Sequence, residues 1–251
     1  MGVAKFQTVR ISDLPGTDFS FRIAYIECAV SDVTIEALDK RTVPNSGFFG
    51  INGTFFNMST YDVLGIAIQD GKAVKPYSAS NGMQGNRCRG TIVKWQEGQL
   101  EKHTLSHIAE LGEIRQIRWA IGGISLHCDR AYDQAEYYAA IRGQEGAAYI
   151  NDTVGEQDHI EPALRPRTAI GLKDDHTLLL VVVEQATPWQ TRLIMQRLGC
   201  CSDVSLLLDG GRSSAFRAMA HDGSIVSWHG NGLYRARKVQ TMVAVTNATW
   251  K

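Results

Sequence analysis

Asp209 stands where a reactive carboxylate could work. It follows the run Val204-Ser-Leu-Leu-Leu and precedes Gly210-Gly211-Arg212-Ser213-Ser214. An apolar run stopped by a carboxylate and two glycines reads as a buried strand delivering Asp209 to its C-terminal end. The glycines let the backbone turn and approach a ligand with no Cβ in the way. Two hydroxyls then follow as adjustable donors and acceptors. The same stretch also suits a turn in which Asp209 only caps the next segment, since Asp-Gly is a turn dipeptide. A second acid, Glu184, closes the apolar run 177–183. Two amides, Asn52 and Asn57, lie in the aromatic stretch Gly47-Phe-Phe-Gly-Ile51-Asn52-Gly53-Thr54-Phe55-Phe56-Asn57. Buried amides need partners, from the protein or from a ligand.

The elements around these residues follow from periodicity and turn chemistry. Residues 6–11 and 21–30 read as strands, and 31–40 as a short helix, with Asp32 as its cap and Ile35 and Leu38 at helical spacing. A strand ends at Asn52-Gly53. Residues 65–74 form a hairpin about Asp70-Gly71, and 91–103 a second about Glu97-Gly98. Trp119-Ala-Ile-Gly122-Gly123 reads as a strand ending in paired glycines. Residues 167–172 and 177–183 flank a polar turn. Thr187-Pro188-Trp-Gln190 then starts a helix with a cap, a proline in the first turn and a capping box. The strand of Asp209 comes next, so strand, helix and strand make a β-α-β unit. That unit places Glu184 and Asp209 at C-terminal strand ends on one edge of a sheet. Residues 215–220, 224–228 and 239–246 add strands. The expected class is α+β or mixed α/β, one domain over 1–251, with mixed sheets and several hairpins. Residues 129–165 are the least patterned and read as an insertion or flap. Their acids Asp152, Glu156 and Asp158 sit in loop-like surroundings.

Composition limits the partners. The chain has 251 residues, 26 Lys and Arg against 26 Asp and Glu, and a formal charge of zero. Such balance argues against a surface built for nucleic acid or an anionic membrane. No apolar run reaches the ~20 residues of a membrane helix. Residues 1–10 are too polar for a secretory signal, so a cytoplasmic location is expected. The five cysteines (Cys28, Cys88, Cys128, Cys200, Cys201) have no paired spacing and suit reduced thiols. His103 and His107 stand four apart, but no third ligand completes a zinc motif, so no metal is expected.

Four stretches, in order, resemble the phosphodiester glycosidase family, which has many bacterial and phage relatives. Asn52-Gly53-Thr54-Phe55-Phe56-Asn57 is similar to the family's Asn-Gly-Gly-Phe-Phe-Asp/Asn. Ala120-Ile-Gly122-Gly123 resembles its glycine-paired strand end, and Arg167-Thr168-Ala-Ile-Gly171 its Arg-Thr-Ala-Ile-Gly. Asp209-Gly210-Gly211-Arg212-Ser213-Ser214 resembles Asp-Gly-Gly-Gly-Ser-Ser. Thr54 and Arg212 replace glycines, and Arg237-Lys-Val-Gln-Thr241 keeps only the arginine of a C-terminal Arg-Pro-Val-Pro-Asn. The resemblance spans roughly residues 20–246.

The resemblance implies cleavage between an anomeric carbon and a phosphate oxygen, with no nucleotide or redox cofactor. Phosphate leaves as a weak base and needs charge stabilisation more than a proton. Arg167 is then the fork for its oxygens, assisted by Arg212 and Arg237. The sugar side develops oxocarbenium character, which a carboxylate must stabilise or attack with activated water. Asp209 is the first candidate and Glu184 the second. Asn52, Ser213 and Ser214 would meet sugar hydroxyls or phosphate, with Phe55 and Phe56 as an apolar wall. Gly53, Asn57, Gly122, Gly123, Thr168, Gly210 and Gly211 complete the expected binding set. The expected substrate is a small glycosyl phosphodiester or a sugar nucleotide; a homo-oligomer is left open. Two other readings compete: a phosphodiesterase acting on a nucleotide-like ligand, suggested by Arg212, and a non-catalytic sugar- or nucleotide-binding module, suggested by the loss of the C-terminal Asn.

Overall fold

A computed structural model describes residues 2–145 and 164–251. These form sixteen strands, β1 (Gly2–Ile11), β2 (Phe21–Ala29), β3 (Val33–Ala37), β4 (Phe49–Asn52), β5 (Ala67–Gln69), β6 (Lys72–Ala73), β7 (Arg89–Trp95), β8 (Leu100–Leu105), β9 (Ile117–Ser125), β10 (Arg165–Asp174), β11 (Thr177–Ala186), β12 (Ser205–Leu207), β13 (Ala215–Met219), β14 (Ile225–His229), β15 (Thr241–Val245) and β16 (Ala248–Trp250). Two α-helices join them, α1 (Gln134–Glu145) and α2 (Pro188–Arg197). The class is α+β, with mixed and antiparallel sheets. No described helix is long and apolar enough to cross a membrane.

The larger sheet runs β16-β1-β2-β11-β10-β12-β9-β5-β6, with β7 paired to β9 and β8 to β7. The smaller runs β14-β13-β4-β15-β3. Both faces of the larger sheet are covered. Leu178, Leu180, Val182, Leu206 and Leu208 pack with Ile51, Phe216 and Val243 of the smaller sheet. Leu179, Val181, Val183 and Leu207 pack the other way, with Tyr137, Ile141, Ile194 and Met195 of the helices. A strand buried on both faces must be apolar at every position, which is why 178–183 is an unbroken hydrophobic run.

Two expectations change. Residues 33–37 are a strand, not a helix. Val33 and Ile35 alternate inward and β3 pairs with β15, so tertiary pairing outweighs the helical spacing of Ile35 and Leu38. Residues 129–165 also hold more than a flap, because α1 starts within them and buries Tyr137 and Ile141 at 0% exposure. Asp152, Glu156 and Asp158 lie outside the described residues. The β-α-β unit is present in split form: β11 and β12 are both antiparallel to β10, which lies between them. Thr187 caps α2 through a reciprocal bond pair with Gln190, as its sequence indicates.

Candidate active site

A cavity of about 770 Å³ opens beyond the end of β12 and the start of β10. Its lining comes from the turn Asp209–Arg212, from Arg165, Pro166 and Arg167 at the start of β10, from Phe55, Phe56 and Asn57 after β4, and from Gly230 and Arg237. Strand parity decides who reaches it. Arg167 lies on the same face of β10 as Ala169, and Asp209 continues the face of Leu207; both neighbours pack on the helix side. Thr168 and Glu184 fall on the opposite face, toward the smaller sheet.

Asp209 is held from both directions. Its N–H donates to Gly53 O at 3.2 Å, and its own carbonyl accepts from Asn52 Nδ2 at 2.7 Å. The turn beyond it passes through Gly211 at φ +60°, a left-handed conformation that favours glycine. Ser213, only 1% exposed, donates to the Asp209 carboxylate, and Arg237 Nη1 donates to Ser213 Oγ at 3.3 Å. Burial raises the Asp209 pKa to about 6, against the opposing pull of the Ser213 hydrogen bond, Arg237 and the Gly210 N–H. Among the described lining residues Asp209 is the sole acid, facing Arg165, Arg167, Arg212 and Arg237.

Arg167 is 4% exposed, with Nε donating to Ala186 O at 2.9 Å. Burial brings its pKa down to about 10, so the guanidinium stays charged at neutral pH. Burial also lowers Arg237, while Asp209 works the other way. Phe56 stacks on Tyr61 with centroids 6.0 Å apart, and Arg89 lies over the Phe55 ring at 5.3 Å. Asn57 Oδ1 accepts from Ser59 N at 2.8 Å and Thr60 N at 3.2 Å, folding the loop at the rim.

Several residues expected at the ligand serve the scaffold instead. Asn52 is 1% exposed. Its Oδ1 accepts from Thr168 Oγ1 and Ala215 N, and its Nδ2 donates to Asp209 O and Gly53 O, so a complete set of amide bonds is already used. Thr168 is consumed in the same network. Gly53 packs on Thr241, whose Oγ1 lies 2.4 Å from where a Cβ would stand. Gly122 and Gly123 do not end their strand. They lie inside β9, where a Cβ on Gly123 would be 2.3 Å from Leu207 O and one on Gly122 2.3 Å from Asn81 Oδ1. Ser214 is buried behind the turn, at 0% exposure.

The two departures at Thr54 and Thr241 meet each other. Thr241 Oγ1 accepts from Thr54 N at 3.1 Å, and Thr54 Oγ1 donates to Gly122 O at 2.7 Å, away from the cavity. Arg212 does enter the cavity. Glu184 does not; it pairs with Arg22 at 3.4 Å.

Arg165, Pro166, Met58, Leu64 and Gly230 line the cavity without having been singled out. Arg165 had a readable signal, because it stands two residues from Arg167 on a strand, the spacing that repeats one face. Elsewhere, His127, Asp129 and Asp203 bring ligand atoms within 4.8 Å of one another. Lys102 Nζ already lies 2.5 Å from Asp203 and Arg130 Nε 3.1 Å from Asp129, supplying the positive charge a cation would bring. This cluster sits before β12, at the other end from Asp209.

Comparison with known proteins places the chain in a family. No curated protein sequence matches the chain. Among solved structures, the catalytic domain of zebrafish N-acetylglucosamine-1-phosphodiester alpha-N-acetylglucosaminidase, auto-inhibited by its pro-peptide, is similar in fold, with a TM-score of 0.70 and 16% identity over 98% of this chain and 83% of that one. A match to a putative exported protein from Burkholderia pseudomallei covers 97% of this chain and 59% of that one, at 18% identity and a TM-score of 0.36. The phosphodiester glycosidase family matches residues 46–246, four-fifths of the sequence, and the chain belongs to that family.

Proposed function

We propose that this enzyme hydrolyses the bond between an anomeric carbon and a phosphodiester oxygen, with Asp209 acting on the sugar and the arginines holding the phosphate. The observation that carries this reading is one carboxylate of raised pKa set among four arginines in a single cavity. Phosphate departs without needing a proton, so one carboxylate suffices where a poorer leaving group would need two. Arg167 offers a planar fork to two phosphate oxygens, in a buried setting where its charge acts at full strength. Arg165, Arg212 and Arg237 add to the field. Water attacks the anomeric carbon as the bond to phosphate breaks; ionised Asp209 takes the water's proton and balances the charge that develops on the sugar. Ser213 and Arg237 keep the carboxylate pointed and partly ionised. Phe55 and Phe56 supply an apolar wall for the sugar ring. The zebrafish relative's name makes an N-acetylglucosamine-1-phosphodiester the first substrate to try.

The test is hydrolysis in ¹⁸O-labelled water, read by phosphorus NMR and mass spectrometry. Label on the sugar is the expected result. Label on the phosphate means P–O cleavage and makes the protein a phosphodiesterase. A ligand that binds without turnover makes it a capture module.

A further inference from the structure

A second groove begins where the catalytic cavity ends. It comprises two adjoining cavities of about 480 and 610 Å³ that share Arg22, Glu184, Ser227 and Trp228. The nearer one also shares Pro166 and Gly230 with the cavity of Asp209. Gly230 packs closely on Pro166 and Gly211 at the boundary between them: a Cβ there would lie 2.8 Å from Pro166 Cβ and 2.4 Å from Gly211 O.

The residues in this groove break the pattern of the fold. Arg22 and Glu184 continue the strand faces that carry Ile26, Ala24, Leu180 and Val182, which bury against the smaller sheet. Charges therefore occupy positions where sandwich packing asks for apolar side chains, and the half-buried Trp228 stands across from them. Arg10 lies directly opposite Arg22 in the β1–β2 register and lines the same groove, giving two arginines against one glutamate. An aromatic ring, a carboxylate and an excess of arginine together suit a planar heterocycle that carries phosphate.

Charge in the catalytic cavity points the same way. Four arginines oppose one aspartate there, whereas the phosphate of a simple diester carries a single negative charge. A diphosphate carries two.

We propose that the substrate is a sugar nucleotide, with the diphosphate over the arginines of the catalytic cavity and the nucleoside beyond the shared Pro166–Gly230 boundary, on Trp228. This deepens the hydrolytic reading and rests on it for the orientation of the sugar. The base stacks on the indole, Glu184 accepts from a base N–H, and Arg22 with Arg10 compensates the charge at that end. Glu184 thus recognises the leaving group and takes no part in the chemistry.

Equilibrium binding separates this proposal from turnover. Titrate the full chain with UDP, GDP, ADP, inorganic pyrophosphate and a neutral disaccharide, following tryptophan fluorescence and calorimetry. At least one nucleoside diphosphate should bind tenfold or more tightly than pyrophosphate. That advantage should collapse in Trp228→Ala and shrink in Glu184→Gln, a near-isosteric change at a partly exposed side chain that guards against loss of folding. Equal binding of pyrophosphate and every nucleotide, or an advantage that survives both variants, overturns the proposal. A disaccharide that binds in a Trp228-dependent way while nucleotides do not reassigns the groove to sugar and overturns it too. Because no hydrolysis is required, absence of turnover in the ¹⁸O experiment leaves this result readable.

Discussion

Asn52 and Asp209 are 157 residues apart in sequence, yet the Asn52 side chain donates to the Asp209 carbonyl at 2.7 Å. This bond clamps the end of β12 in the larger sheet to β4 in the smaller one, so the candidate catalytic turn is braced by both sheets. Asn52→Ala strips partners from Asp209 O, Thr168 Oγ1 and Ala215 N at once. Leaving buried groups unpaired costs about 1–3 kcal/mol each, and partial relaxation brings the expected total loss to about 3 kcal/mol. Denaturant unfolding reads this directly. kcat/KM should fall alongside it, since the turn loses its brace.

Asp209→Asn should abolish turnover, keep ligand affinity and stabilise the fold. The sign follows from linkage. Burial raises the folded pKa from 3.8 to about 6, so between those values the native state binds more protons than the unfolded chain. Stability therefore falls as pH rises through that window, and the charged form costs about 3 kcal/mol above it, as an upper order-of-magnitude figure. Asparagine removes the titration. The variant should melt higher than the parent at pH 7 and lose that advantage near pH 4. A variant no more stable at pH 7 than at pH 4, relative to the parent, contradicts the buried-carboxylate account.

The same pKa shapes the rate profile. An Asp209 that works ionised makes kcat/KM climb with pH through about 6 and level off above it. Activity that instead falls as pH rises through 6 would assign Asp209 the role of an acid.

Arginine geometry should matter beyond charge. Arg167→Lys keeps a cation but loses the fork and the Nε bond to Ala186 O. A drop in kcat/KM of about a hundredfold is expected for it, on the scale of losing one transition-state donor. Exposed Arg212, changed to Lys, should cost tenfold or less in the same assay.

Gly123→Ala tests the reassignment of the paired glycines. Its Cβ would press on Leu207 O, a backbone atom that cannot rotate away. Overpacking of this kind costs about 1–3 kcal/mol. The melting temperature should fall, while KM for the protein that remains folded should hold. A raised KM at unchanged stability returns Gly123 to the ligand.

Period-two and capping signals made much of this chain readable. The alternation of Leu178 to Val183 between two cores, the caps of α2 and the hairpin at Asp70-Gly71 are local events, fixed by residues close in sequence. So is the delivery of Asp209 and Arg167 to strand ends, because a strand and its glycine turn are specified within about ten residues. Local spacing misled at 33–37, where pairing with β15 draws the segment into a sheet. It also put Glu184 and Asp209 on one sheet edge as joint candidates, but a shared edge says nothing of which face each side chain takes across the intervening β10.

Sequence alone determined the chemical types: an acid after a buried strand, arginines beside it, aromatics and amides nearby. Tertiary structure decided which of these meet. Asn52 became a brace because Thr168, Asp209 and Ala215, all distant in sequence, claim three of its hydrogen bonds, and Gly122 and Gly123 became packing contacts because Asn81 and Leu207 press on them. Those partners lie tens to hundreds of residues away, and a side chain's availability to a ligand depends on whether such partners have already claimed it.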